Sequence, residues 1–219
     1  MFRIKICGVT SLADARAAID AGADVIGLNF YAGSPRFVSV DLACRITAEI
    51  SRAIGVFVNS SADEINDVAH RVGLQAVQLH GDEGPGLLAD IDPNVPVIRA
   101  CSIGEGGLRS VGQYLDECRF AGRAPAAVLV DAAVQGQFGG TGRTANWAEI
   151  VTHRRQLAGL PLALAGGLKP ENIRAAIHTV RPDAVDVASG VESSPGVKDP
   201  AKIRAFVQAA VAAFAAIET

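Results

Sequence analysis

Two residue types suited to proton transfer stand at the ends of short apolar runs. Cys7 closes Arg3–Cys7, and Asp131 closes Ala127–Asp131. A thiolate can remove a proton from carbon and a carboxylic acid can deliver one. Facing each other across one pocket mouth they supply the acid and base that an isomerisation requires. Each has a plainer reading: a buried cysteine as a small apolar side chain, and an aspartate that caps the loop after its strand. Two other runs end in small, glycine-bearing loops, Ala165-Gly166-Gly167 and Ser189-Gly190. Loops of this kind let backbone N–H groups approach the oxygens of a phosphate, although a pair of ordinary turns has the same composition. A further run ends in Gln78-Leu79-His80, and both polar side chains are candidates to line the same pocket. The cysteines form no C-x-x-C pair and no His/Cys cluster has zinc spacing, so no metal is expected.

These residues need a scaffold that brings distant strand ends together. Apolar, β-branched runs recur at Arg3–Cys7, Asp24–Phe30, Gly55–Asn59, Gln75–His80, Pro96–Ala100, Ala127–Asp131, Pro161–Ala165 and Ala184–Ser189. Most gaps between them read as amphipathic helices. Alternating strands and helices imply parallel pairing, and eight such units predict a closed (β/α)8 TIM barrel spanning residues 1–219 as one catalytic domain, shorter than the typical ~250 residues. A doubly wound open sheet is the competing architecture, but no G-x-G-x-x-G follows the first strand. Ser11-x-x-Asp14 and Ser61-x-x-Glu64 read as helix starts, as do Pro170 and Asp199-Pro200. The last helix should lay Ile203, Phe206, Val207, Ala210, Val211, Phe214 and Ile217 on the barrel. Glu105–Gly122 carries the weakest helical pattern.

In this fold the active site lies at the C-terminal ends of the strands, and a phosphate site after strands seven and eight is common. Strand alternation then makes a sharper expectation. If Cys7 faces inward, so does Lys5, while Val185 and Val187 face the helices and leave Asp186 inward. Closure makes strands one and eight neighbours, so Lys5 and Asp186 should form a buried pair beneath the site. The Lys5 ammonium should also favour the Cys7 thiolate.

Composition agrees with a globular enzyme. Of 219 residues 49% are hydrophobic, which opposes disorder, and the net charge of −3 is mixed along the chain. That balance argues against nucleic acid and anionic membrane as partners and leaves room for a small anionic substrate. The N-terminus shows no signal-peptide run, and Lys202, Arg204 and Gln208 interrupt the apolar C-terminal helix. Four cysteines without a pairing pattern suit a reducing compartment, so a cytoplasmic location is expected. No long exposed apolar patch announces itself, so a monomer is expected. His70, His153 and His178 read as surface residues and Trp147 as packing.

Across nearly its whole length the sequence resembles the phosphoribosylanthranilate isomerases of tryptophan biosynthesis. The resemblance is carried by Lys5-Ile6-Cys7-Gly8, Gly22-Ala23-Asp24, Phe30-Tyr31 with Ser34-Pro35-Arg36, Gly55-Val56-Phe57-Val58-Asn59 and Val77-Gln78-Leu79-His80-Gly81-Asp82-Glu83. It continues in Gly139-Gly140-Thr141-Gly142, Leu164-Ala165-Gly166-Gly167-Leu168, Pro170-Glu171-Asn172 and Val185-Asp186-Val187-Ala188-Ser189-Gly190-Val191-Glu192. It implies a (β/α)8 barrel and an Amadori rearrangement of N-(5-phosphoribosyl)anthranilate, with Cys7 as general base and Asp131 as general acid. No cofactor is implied, because the substrate nitrogen is its own electron sink. The resemblance assigns Arg36 to the anthranilate carboxylate, which suits a planar guanidinium fork. The loop holding Gly140, Thr141 and Gly142 should close over the substrate. A related isomerase that also accepts the histidine-pathway aminoaldose uses two aspartates, so Cys7 points to the dedicated tryptophan enzyme. The rival readings are a ribulose-phosphate epimerase, for which only His80 is available as a strand-end histidine, and a barrel that merely binds phosphorylated ligands.

Overall fold

Eight strands close into a parallel barrel in chain order, with β8 returning to pair with β1. The computed structural model describes residues 2–102, 108–131, 147, 150–151 and 154–218. The barrel strands are β1 (Ile4–Cys7), β2 (Val25–Asn29), β3 (Ala53–Phe57), β4 (Ala76–Leu79), β5 (Val97–Ser102), β6 (Ala127–Asp131), β7 (Leu162–Ala165) and β8 (Ala184–Val187). Among the described residues, helices with assigned bounds are α1 (Leu12–Asp20), α2 (Val40–Thr47), α3 (Ala62–Val72), α4 (Leu87–Asp90), α5 (Arg109–Phe120), α6 (Ile173–Val180) and α7 (Pro200–Glu218). A small antiparallel hairpin, β9 (Glu192–Ser194) with β10 (Val197–Lys198), follows β8.

The strands are buried on both faces, and their side chains divide by parity. Ile4, Ile6, Ile26, Leu28, Val128, Val130, Val185 and Val187 pack outward against the helices. Val25, Ile54, Ala76, Ile98, Leu129, Ala163 and Ala184 fill the barrel interior. Each fully buried aliphatic side chain stabilises the fold by about 1.5–3 kcal/mol. Besides that apolar layer the interior holds Lys5 and Gln78 with no exposed surface, and Asp186 nearly so. A polar group in that position needs partners; Lys5 and Gln78 find them, whereas Asp186 keeps one oxygen, Oδ1, buried without a hydrogen bond.

Short turns set where the helices begin. Ser11 Oγ accepts from the Asp14 N–H at 3.1 Å, and Ser61 Oγ from the Glu64 N–H at 3.2 Å. Asp199 Oδ1 accepts from the N–H groups of Ala201 and Lys202, with Pro200 opening α7. Pro170 differs from expectation: it lies in the turn before α6, which begins at Ile173. On α7, Ala213 is buried and Val211 is 54% exposed, the reverse of the expected assignment at Val211. By length and composition α7 could cross a membrane. Its Ile203, Phe206, Val207, Ala210 and Phe214 are instead buried in the core that the strands share with the helices.

Candidate active site

All eight strands run the same way, so Cys7 and Asp131, the last residues of β1 and β6, open on one rim. Beneath Cys7 the expected ion pair is present. Lys5 and Asp186 are register partners across the β1–β8 seam, and Lys5 Nζ donates to Asp186 Oδ2 at 2.9 Å. Lys5 Nζ also donates to Gln78 Oε1 at 3.0 Å. Burial opposes the ammonium, but Asp186 and Cys7 outweigh it and hold Lys5 above its ordinary value. Cys7 goes the other way from expectation. Burial and the Asp186 carboxylate push the thiol up, and the pull of Lys5 does not offset them. Gly27 lies opposite Cys7 on β2, where a Cβ would come within 2.7 Å of Cys7 Sγ and 3.1 Å of Lys5 Nζ.

Gln78 does not meet the mouth as expected. Its side chain is wholly buried, with Oε1 accepting from Lys5 Nζ and Nε2 bonded to His80 Nδ1 at 2.9 Å, so it reaches the mouth through His80. His80 is exposed on the rim, and its Nε2 faces Asp131 Oδ2 at 3.9 Å. Part of the ring, 37% of the side chain, is open at the rim; burial of the rest lowers the His80 pKa, against the opposing pull of Asp131.

Arg36 comes from the loop after β2. Ser34 Oγ accepts the Arg36 N–H at 3.1 Å and the Asn29 amide at 3.2 Å, which ties the loop to the end of β2. The guanidinium grips Glu192 through Nε and Nη2, each at 2.7 Å. Lys198 Nζ donates to the same carboxylate at 2.8 Å and to the Ala188 carbonyl at 3.1 Å. Burial opposes the Glu192 charge, but Arg36 and Lys198 outweigh it and hold the carboxyl below its ordinary value. Two cations thus share one anion beside the end of β8. Arg36 is therefore not an exposed loop arginine without a partner.

The glycine loops stand next to this cluster. Gly166 and Gly167 follow β7 in consecutive left-handed conformations, and Ser189–Val191 makes one turn of 3-10 helix after β8. The two loops touch so closely that a Cβ on Gly190 would fall 1.9 Å from the Leu168 carbonyl oxygen. Ser189 is exposed at that turn. Gly140, Thr141 and Gly142 lie outside the described residues. Among the described residues no group of three or more His, Cys, Asp and Glu side chains is placed to hold a metal ion.

The model of the N-(5'phosphoribosyl)anthranilate (PRA) isomerase family matches residues 4–209. A curated N-(5'-phosphoribosyl)anthranilate isomerase from Thermotoga neapolitana is 41% identical over 213 residues, 96% of this chain and 98% of its own. One from Pseudomonas fluorescens is 44% identical, covering 94% of each chain. The crystal structure of the Thermotoga maritima enzyme superimposes with a TM-score of 0.86 at 40% identity, covering 97% of this chain and all of the other. The chain belongs to the phosphoribosylanthranilate isomerase family.

Several features of this isomerase's rim were not singled out from sequence. Glu192 and Lys198 sit 156 and 162 positions beyond Arg36, and no local pattern couples them. Gly27 was unmarked, although its position opposite Cys7 in the neighbouring strand was a usable signal. A related isomerase with TM-score 0.81 and 39% identity was solved with reduced 1-(o-carboxyphenylamino)-1-deoxyribulose 5-phosphate, a ligand bearing a carboxylate and a phosphate.

Proposed function

We propose that this isomerase converts N-(5'-phosphoribosyl)anthranilate to 1-(2-carboxyphenylamino)-1-deoxyribulose 5-phosphate with Asp131 as general acid and Cys7 as general base. The observation that carries the proposal is the placement of both groups on one rim, beside a cation-rich cluster and two glycine loops. Asp131 gives its carboxyl proton to the furanose ring oxygen as the C1–O bond breaks. The anthranilate nitrogen lone pair forms the C=N bond of a protonated Schiff base. Cys7 as thiolate then takes the proton from C2, the electrons return to nitrogen, and the enaminol tautomerises to the ketone. Solvent resets both groups.

The raised thiol is consistent with this chemistry. A thiolate that forms reluctantly is a stronger base, and the cationic Schiff base beside it favours its formation. Arg36, held by Glu192, presents its remaining guanidinium edge to the anthranilate carboxylate, with His80 at the same mouth. The N–H groups of Gly166, Gly167, Ser189 and Gly190 take the phosphate, and Gly140, Thr141 and Gly142 belong to the loop that covers the sugar. Every assigned group comes from one chain, so the site needs no partner subunit and a monomer suffices. Four free cysteines suit a cytoplasmic setting. The test is growth of a tryptophan auxotroph lacking this isomerase. The wild-type chain should restore growth and Cys7→Ala and Asp131→Ala should not; growth with either variant refutes the roles.

A further inference from the structure

A hydrogen-bonded ladder runs through the barrel from beneath the base to beside the acid, and its polarity can be read from its first rung. Lys5 Nζ carries only donors. It donates to Asp186 Oδ2 and to Gln78 Oε1, so the Gln78 amide must present oxygen to β1 and nitrogen to His80. That nitrogen has no lone pair to offer. His80 Nδ1, 2.9 Å away, must therefore accept and carry no proton. The single proton of the neutral ring is left on Nε2, which faces Asp131 Oδ2 at 3.9 Å.

We propose that Lys5 and Gln78 are positioning residues that lock His80 as the neutral Nε2–H tautomer, with a donor and not an acceptor turned toward the acid, Asp131. The inference rests on the reading of Asp131 as general acid. The lock turns a neutral N–H, rather than a lone pair, toward the group that delivers its proton to the ring oxygen and keeps the electron pair as carboxylate. The lock also excludes imidazolium. Protonating Nδ1 sets N–H against the Gln78 N–H groups, and flipping the amide sets them against the Lys5 ammonium. An imidazolium beside Asp131 would hold it ionised, with no proton to give. The charged groups acting on His80 are Asp131, Lys5, Asp186 and Glu83; burial together with Lys5 outweighs the three acids and keeps the ring below its ordinary value.

Two-bond 1H–15N spectra of the full chain report the tautomer directly, with the His80 signals assigned by their loss in His80→Asn. The expected result is the Nε2–H form between about pH 6 and 8, where an ordinary histidine titrates. An Nδ1–H form or an imidazolium at neutral pH overturns the inference, whatever any variant does. Gln78→Glu replaces the donor with a carboxylate that accepts from both Lys5 and Nδ1–H. It should convert His80 to imidazolium and lower kcat on the order of 100-fold, the scale of one general-acid contribution, with KM nearly unchanged. Imidazolium with full kcat contradicts the role. Full turnover by Asp131→Asn would instead remove the acid assignment while leaving the tautomer result standing, so the two failures are distinguishable.

Discussion

Two of the barrel's charge clusters differ in their balance of charge. Inside, Lys5 faces one carboxylate, Asp186, and the pair is sealed with 0% and 7% of the side chains exposed. At the rim, Arg36 and Lys198 share Glu192, and the Arg36 side chain keeps 24% of its surface open. The inner cluster is neutral as a unit and sets the state of its neighbours, Cys7 and His80. The rim cluster retains one excess positive charge, on the face where we propose that the substrate's carboxylate binds. A buried charge away from the ligand must be matched within the protein, whereas a site for an anion can leave a cation for its ligand to match.

Breaking the inner pair should have the largest effect on stability. Asp186→Ala leaves the Lys5 ammonium buried without its counterion and should cost about 3–5 kcal/mol in urea unfolding. A change below ~1 kcal/mol would show that the pair is not sealed. At the rim, Arg36→Lys removes the fork that grips Glu192 and should act on ligand binding. The expected rise in KM is about tenfold, with stability changed by less than ~1 kcal/mol. An unchanged KM would remove Arg36 from the substrate site.

Titration separates the clusters further. Alkylation of Cys7 followed against pH should show a midpoint above the ordinary 9.0, and Asp186→Asn should move it down by removing the carboxylate that opposes the thiolate. A wild-type midpoint below 9.0 would mean that Lys5 dominates after all. The smallest effect is at Glu192. Its carboxyl is depressed, so its contribution is present above the ordinary value of 4.5 and is lost as the pH falls through its folded value. Glu192→Gln should flatten the acid side of a Tm-against-pH curve, and an unchanged slope would show that Arg36 and Lys198 do not stabilise the charge.

Strand periodicity made the architecture and the Lys5–Asp186 pair legible in the sequence. Alternation gives each side chain a direction, and closure makes β1 and β8 neighbours. Depth was not legible. Gln78 shares the inward direction of Lys5, but the stagger of the strands decides that its amide ends below the mouth. The Cys7 shift was misjudged for a related reason, since Lys5 was visible and the weight of burial plus Asp186 was not. Val211 and Ala213 show a further limit: both lie near the edge of the apolar stripe of α7, and only packing decides which turns inward.

The most direct test of the account is the rate of the chemical step in Cys7→Ala and Asp131→Ala, measured by the loss of substrate fluorescence under single-turnover conditions. Affinity for reduced 1-(o-carboxyphenylamino)-1-deoxyribulose 5-phosphate is measured in parallel. Each variant should slow the chemical step by at least ~100-fold while binding the analogue almost as well as the wild type. A wild-type rate in either variant would contradict the assignment of base and acid.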